Sequence, residues 1–175
     1  MKIYLIGFMG CGKSTAGKHL ATHCGFPFVD TDKLFEAKHD CSVETYFAIY
    51  GENAFRQKEA LLLRETASME NAVIATGGGM PCFHDSMDWI RSHGISVYLE
   101  MPPAALCNRL KNSKIKRPIL QADNLLQDIE KLLPQREKYY KKAHITISGL
   151  NVDIPKLYAT IRLYAEASKT KAIHC

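Results

Sequence analysis

No C-x-x-C pair occurs among the six cysteines, which stand at 11, 24, 41, 82, 107 and 175 with long, irregular gaps. Metal sites of the usual cysteine spacing are thereby excluded, and a disulfide framework does not suit a chain of 175 residues. Reduced thiols are expected, and with them a cytoplasmic setting. The seven histidines also lack metal-ligand spacing. No apolar run reaches membrane-spanning length, and the N-terminal run is too short for a signal peptide, so no membrane association is expected. Neither sign of charge dominates, the net charge being +5, although basic residues concentrate at 109–117 and 131–142. No extended basic array interleaved with aromatics is visible, which argues against nucleic acid and for small phosphorylated or carboxylated ligands. Repeats and low-complexity linkers are missing too. With 46% hydrophobic and 23% charged residues, the composition is that of one folded core.

The most informative stretch is Gly7-Phe8-Met9-Gly10-Cys11-Gly12-Lys13-Ser14. It follows the β-branched and aromatic run 2–6 and leads straight into Thr15-Ala16-Gly17-Lys18-His19-Leu20-Ala21, a helical pattern. Strand, G-x-x-x-x-G-K-S and helix together make a phosphate loop. Its glycines let the backbone wrap closely, so that successive N–H groups and a helix N-terminus face one anion. Gly10, Cys11, Gly12, Lys13, Ser14 and Thr15 are therefore the candidate nucleotide-binding residues. Lys13 brings a charge for the β/γ-phosphates, and Ser14 brings a hydroxyl for Mg²⁺. Cys11 occupies a small-residue slot.

Strands are expected at 3–6, 27–29, 72–75, 95–99 and 144–147. Helices are expected at 14–23, 31–38, 42–49, 53–69, 84–92, 103–111, 124–141 and 153–167. Alternation of this kind predicts an α/β fold, a five-stranded parallel sheet with helices on both faces. Ligands on such sheets gather at the carboxyl ends of the strands, which directs attention to the loops following them.

Asp30-Thr31-Asp32 ends the second strand. Beside a phosphate loop, one carboxylate suits Mg²⁺ and the other suits a base for a substrate hydroxyl. The competing reading is a helix cap. Arg56 and Glu59 share a helix face, either as a surface pair worth under about 1 kcal/mol or with Arg56 turned toward a substrate carboxylate. Spacing alone does not choose between these. Gly77-Gly78-Gly79 ends the third strand, and three glycines in a row point to close approach of a ligand. No acidic residue stands there, which places more of the metal role on Asp30. The basic stretch before Pro118 reads as a cover over phosphates, with Arg117 its best candidate for reaching the transferring group. Arg136 lies in a helix so crowded with charge that a surface role is its default.

Taken together, the pattern closely resembles shikimate kinase. The resemblance covers nearly the whole chain, through G-F-M-G-C-G-K-S at 7–14, D-T-D at 30–32, G-E-x-x-F-R-x-x-E at 51–59, G-G-G at 77–79, R-P-I-L at 117–120 and R-x-x-Y at 136–139. It implies one P-loop domain over 1–175 of the nucleoside-monophosphate-kinase-like type, with a substrate-binding segment at about 31–60 and a lid at about 111–123. The implied reaction is ATP-dependent, Mg²⁺-assisted phosphorylation of the 3-hydroxyl of shikimate by a monomer. In that reading Asp32 is the general base, Lys13 and Arg117 stabilise the transferring phosphoryl group, and Ser14 and Asp30 serve Mg²⁺. Arg56 and Arg136 hold the shikimate carboxylate, Gly78 and Gly79 lie against the ring, and Arg109 and 148–151 lie near the adenine.

Overall fold

Short apolar runs become the strands β1 (Lys2–Ile6), β2 (Phe28–Asp30), β3 (Ala72–Ala75), β4 (Ile95–Glu100) and β5 (Ile145–Ser148), the three central ones being the most deeply buried. The structure is a computed structural model that describes residues 1–113 and 124–173. All strand pairings are parallel and the order is β2-β3-β1-β4-β5, so β1 lies in the middle. Ile3, Leu5, Ile6, Val73, Ile74, Val97 and Leu99 are wholly buried, as β-branched and leucine side chains covered by helices on both faces should be. The doubly covered sheet matches the expected architecture.

The helices are α1 (Lys13–Cys24), α2 (Thr31–His39), α3 (Val43–Glu65), α4 (Ser86–His93), α5 (Pro103–Lys111), α6 (Leu125–Tyr140) and α7 (Ile154–Ile173). The two helices expected at 42–49 and 53–69 run together as α3, but Gly51 breaks the helical backbone between them at φ 77°, ψ 172°. Ser42 caps the first piece through the Thr45 N–H at 3.0 Å. α4 starts later than expected because His84 and Asp85 take positive φ. α7 runs past the expected end at 167. Among the described residues no helix is long and apolar enough to cross a membrane.

Besides the main core under the sheet, a second cluster joins α2 to α3 through Phe35, Tyr46, Phe55 and Leu62. The Phe35 ring meets Tyr46 and Phe55 edge-on at 5.0 Å each. This small core fixes where Asp32, on α2, lies relative to Arg56, on α3.

Candidate active site

The phosphate loop leaves the centre of the sheet and wraps back on its own lysine. Lys13 is only 8% exposed, and its Nζ donates to the carbonyls of Gly7 at 2.8 Å and Phe8 at 2.9 Å. Gly12 precedes α1 at φ 96°, a conformation that side chains resist, and no side chain caps the helix N-terminus. The first-turn N–H groups of α1 are thus available to an anion. Cys11 fills the slot beneath the loop at 1% exposure, its thiol 3.7 Å from Lys13 Nζ.

Asp30 satisfies both readings of its motif. One carboxylate oxygen caps α2 by accepting from the N–H groups of Asp32 at 3.1 Å and Lys33 at 3.4 Å. The other accepts from Ser14 Oγ at 2.5 Å. Lys13, Ser14, Thr15, Asp30, Asp32 and Gly78 all line a cavity of about 190 Å³ at this edge of the sheet.

Next to it is a narrow slot of about 60 Å³ whose walls include Asp32, Arg56, Glu59, Gly78, Gly79 and Arg136. Asp32 and Gly78 therefore line both spaces. Arg56 and Glu59 are no surface pair. They are 5% and 4% exposed, and Arg56 Nη1 donates to Glu59 Oε2 at 2.6 Å. The guanidinium also lies 4.6 Å from the Phe83 ring centroid. Burial pushes the Glu59 carboxyl up to about 7, against the lowering effect of Arg56. Arg136 is likewise inside rather than on the surface, at 4% exposure, over the Phe8 ring at 5.5 Å. Its buried Nη1 has no partner. A guanidinium donor buried without an acceptor is costly, and an incoming carboxylate would remove that cost.

The glycine run separates these charges. A Cβ on Gly79 would stand 2.5 Å from both Arg56 Nη atoms, and one on Gly77 would stand 2.5 Å from Glu59 Oε1 and 2.8 Å from Asp32 Oδ1. A side chain at either position would push these charged groups aside. On the other side of the phosphate loop is a larger cavity of about 460 Å³ that includes Gly10, Cys11, Thr15, Arg109, Gly149 and Leu150. Arg109 bridges its walls, donating to the carbonyls of Cys11 at 3.4 Å and of Gly149 and Leu150 at 3.3 Å.

Residues 9–161 match the family model described as shikimate kinase. The chain belongs to the shikimate kinase family. It is 40% identical over 151 residues to a shikimate kinase of Parabacteroides distasonis, covering 85% of this chain and 87% of that protein. The crystal structure of shikimate kinase from Bacteroides thetaiotaomicron superposes with a TM-score of 0.83 at 35% identity, covering 97% of this chain and 98% of that one. Shikimate kinase from Acinetobacter baumannii in complex with shikimate gives 0.84 at 36% identity, covering 96% of this chain and 93% of the other.

In this member of the shikimate kinase family, Lys13, Ser14, Asp30, Asp32, Arg56, Gly78, Gly79 and Arg136 all lie on two adjoining spaces at one edge of the sheet. Arg117 and most of the expected lid lie outside the described residues. Sequence reasoning missed two contributors. Glu59 was legible only as a partner of Arg56, although its place three residues on marked the shared face. The sequence assigned no role to either tyrosine of the 139–140 pair; the fully buried one is Tyr140, four residues from Arg136. A helix turn of 3.6 residues brings i and i+4 to one face, and that periodicity was the available signal.

Proposed function

We propose that the protein transfers the γ-phosphoryl group of ATP to the 3-hydroxyl of shikimate, giving shikimate 3-phosphate and ADP in aromatic amino-acid biosynthesis. The observation that carries this reading is the shared wall. Asp32 borders both the phosphate cavity and the slot that holds Arg56 and Arg136 with its unpartnered Nη1. A rigid ring with a carboxylate at one end and hydroxyls at the other fits between an arginine pair and a carboxylate. Arg56 and Arg136 take its carboxylate through charge-assisted bonds. Gly78 and Gly79 let the ring lie against the backbone.

Asp32 accepts the proton as the 3-hydroxyl oxygen bonds to the γ-phosphorus, and the bond to the β–γ bridging oxygen breaks to release ADP. Lys13 and the N–H groups of the loop neutralise charge on the phosphates, while Gly10, Cys11, Gly12 and Thr15 complete the cradle. The adjacent oxygens of Ser14 and Asp30 are hard donors suited to Mg²⁺, with Asp30 acting through water. When bound, that ion supplies charge neutralisation at the β/γ-phosphates. Arg117 reaches the transferring group from a lid at 111–123, and the segment at about 31–60 carries the acceptor. The adenine sits beside Arg109 and 149–150. The chain acts as a single domain over 1–175 and as a cytoplasmic monomer, without nucleic acid or membrane partners.

An ADP-release assay with a panel of acceptors tests the proposal. Turnover with shikimate and none with gluconate or AMP is expected. Turnover with gluconate or AMP instead, or acceptor-independent hydrolysis, would overturn it.

A further inference from the structure

The glycine run between the two arginines has an unusual supporting bond. Within it, the Gly77 carbonyl accepts from the Met80 N–H at 3.2 Å and the Gly79 carbonyl from the Cys82 N–H at 2.9 Å, which are local turn bonds. The Gly77 N–H donates to Thr31 Oγ1 at 2.9 Å. The Gly78 carbonyl is held from elsewhere, by the Tyr140 hydroxyl at 2.5 Å. Tyr140 is fully buried, with its ring 5.2 Å from that of Tyr98. Its neighbour Tyr139 faces the other way, with the ammonium groups of Lys138 and Lys142 at 5.2 and 6.0 Å from its ring.

A peptide unit is planar and trans, so its C=O and N–H point in opposite directions. Fixing the Gly78 carbonyl therefore fixes the Gly79 N–H. Among the described residues no acceptor takes that N–H. Glycine on both sides of the unit leaves its orientation otherwise weakly determined, since glycine accepts either sign of φ. Arg136 is on the same face of α6, one turn away.

We propose that Tyr140 is a positioning residue for the acid end of the pocket, its hydroxyl locking the Gly78–Gly79 peptide so that the Gly79 N–H and Arg136 are set together for the substrate carboxylate. This rests on the shikimate reading above. Burial holds the Tyr140 phenol well above its ordinary pKa, so it stays a donor throughout the working pH range. Arg136 opposes that rise but does not cancel it.

Tyr140→Phe keeps the ring and removes the hydroxyl, and with it the bond to the Gly78 carbonyl and the contact with Arg136. The KM for shikimate should rise about five- to tenfold, with kcat and the KM for ATP within about twofold of wild type. Tyr98→Phe, which removes the neighbouring phenol's bond to Glu137 Oε1 at 3.5 Å without touching Gly78, should leave both KM values near wild type. An unchanged shikimate KM, or equal rises for both substrates, would overturn the proposal while leaving the shikimate reading intact. A second measurement needs no variant: in wild-type protein the Gly79 amide resonance should shift and its exchange slow when shikimate binds. An amide indifferent to shikimate, in protein that turns shikimate over, overturns the proposal. Wild-type protein that neither binds nor phosphorylates shikimate overturns it together with the reading beneath it.

Discussion

The two halves of the site are built differently. The donor half is almost one piece of chain: residues 7–14 provide the loop, its lysine and the start of α1, with the Lys13 ammonium held by the loop's own carbonyls. The acceptor half draws on separate elements: Asp32 from α2, Arg56 and Glu59 from α3, the glycine run after β3, and Arg136 and Tyr140 from α6. The first presents the uncapped N–H groups at the start of α1, and the second presents buried side-chain charges. A backbone cradle suits any phosphate, whereas charges imported from several helices fit one shape of acceptor. Generic donor recognition and specific acceptor recognition thus have different construction costs.

That contrast can be broken most sharply at the shared wall. Asp32→Asn should lower kcat by about a hundred- to ten-thousandfold while ATP affinity stays close to wild type, as measured by turnover and nucleotide titration. Retention of most activity would remove Asp32 as the base. Arg136→Ala should come next, raising the KM for shikimate by roughly ten- to a hundredfold through loss of about 1.5–3 kcal/mol of charge-assisted bonding. The KM for ATP should hardly move. Gly79→Ala should have a smaller effect, about tenfold on shikimate affinity, because the added methyl displaces the Arg56 guanidinium that it would meet at 2.5 Å. Its backbone φ of −90° is one that alanine adopts, so the protein should still fold.

The mildest test concerns Glu59. Its carboxyl is raised from 4.5 to about 7, so the folded state keeps a proton that the unfolded state releases. The stability from this group is fully present below about pH 4.5 and is lost as pH rises through about 7. Denaturation of wild type and Glu59→Gln across that window should show the wild type losing stability relative to the variant, by no more than ~1.4 kcal/mol per pH unit. A difference that does not vary with pH would contradict the assignment. The phosphate loop, by contrast, should show no such dependence on Glu59.

What could be read from the chain alone follows the same division. The loop at 7–14 announced itself because its chemistry depends on consecutive residues, and the five strands because each is a short apolar run. The locations of Arg56 and Arg136 were harder. Both lie in helices rich in charge, and only packing against Phe8, Phe83 and the glycine run makes them interior. Glu59 looked like half of a surface pair because burial is a property of the tertiary fold. Tyr140 was not singled out, since two adjacent tyrosines on a helix differ only in which face the fold covers. The start of α4 shifted because His84 and Asp85 adopt positive φ, for which the sequence carried no glycine as warning.

In the proposed complex one ring acid lies between Asp32 and the two arginines, with a single hydroxyl presented to the phosphate loop. Phosphorus NMR of the product formed from ATP and shikimate tests this arrangement most directly. One new phosphate ester is expected, on the 3-hydroxyl, appearing in step with ADP. A mixture of esters, an ester at another hydroxyl, or free phosphate in place of an ester would contradict it.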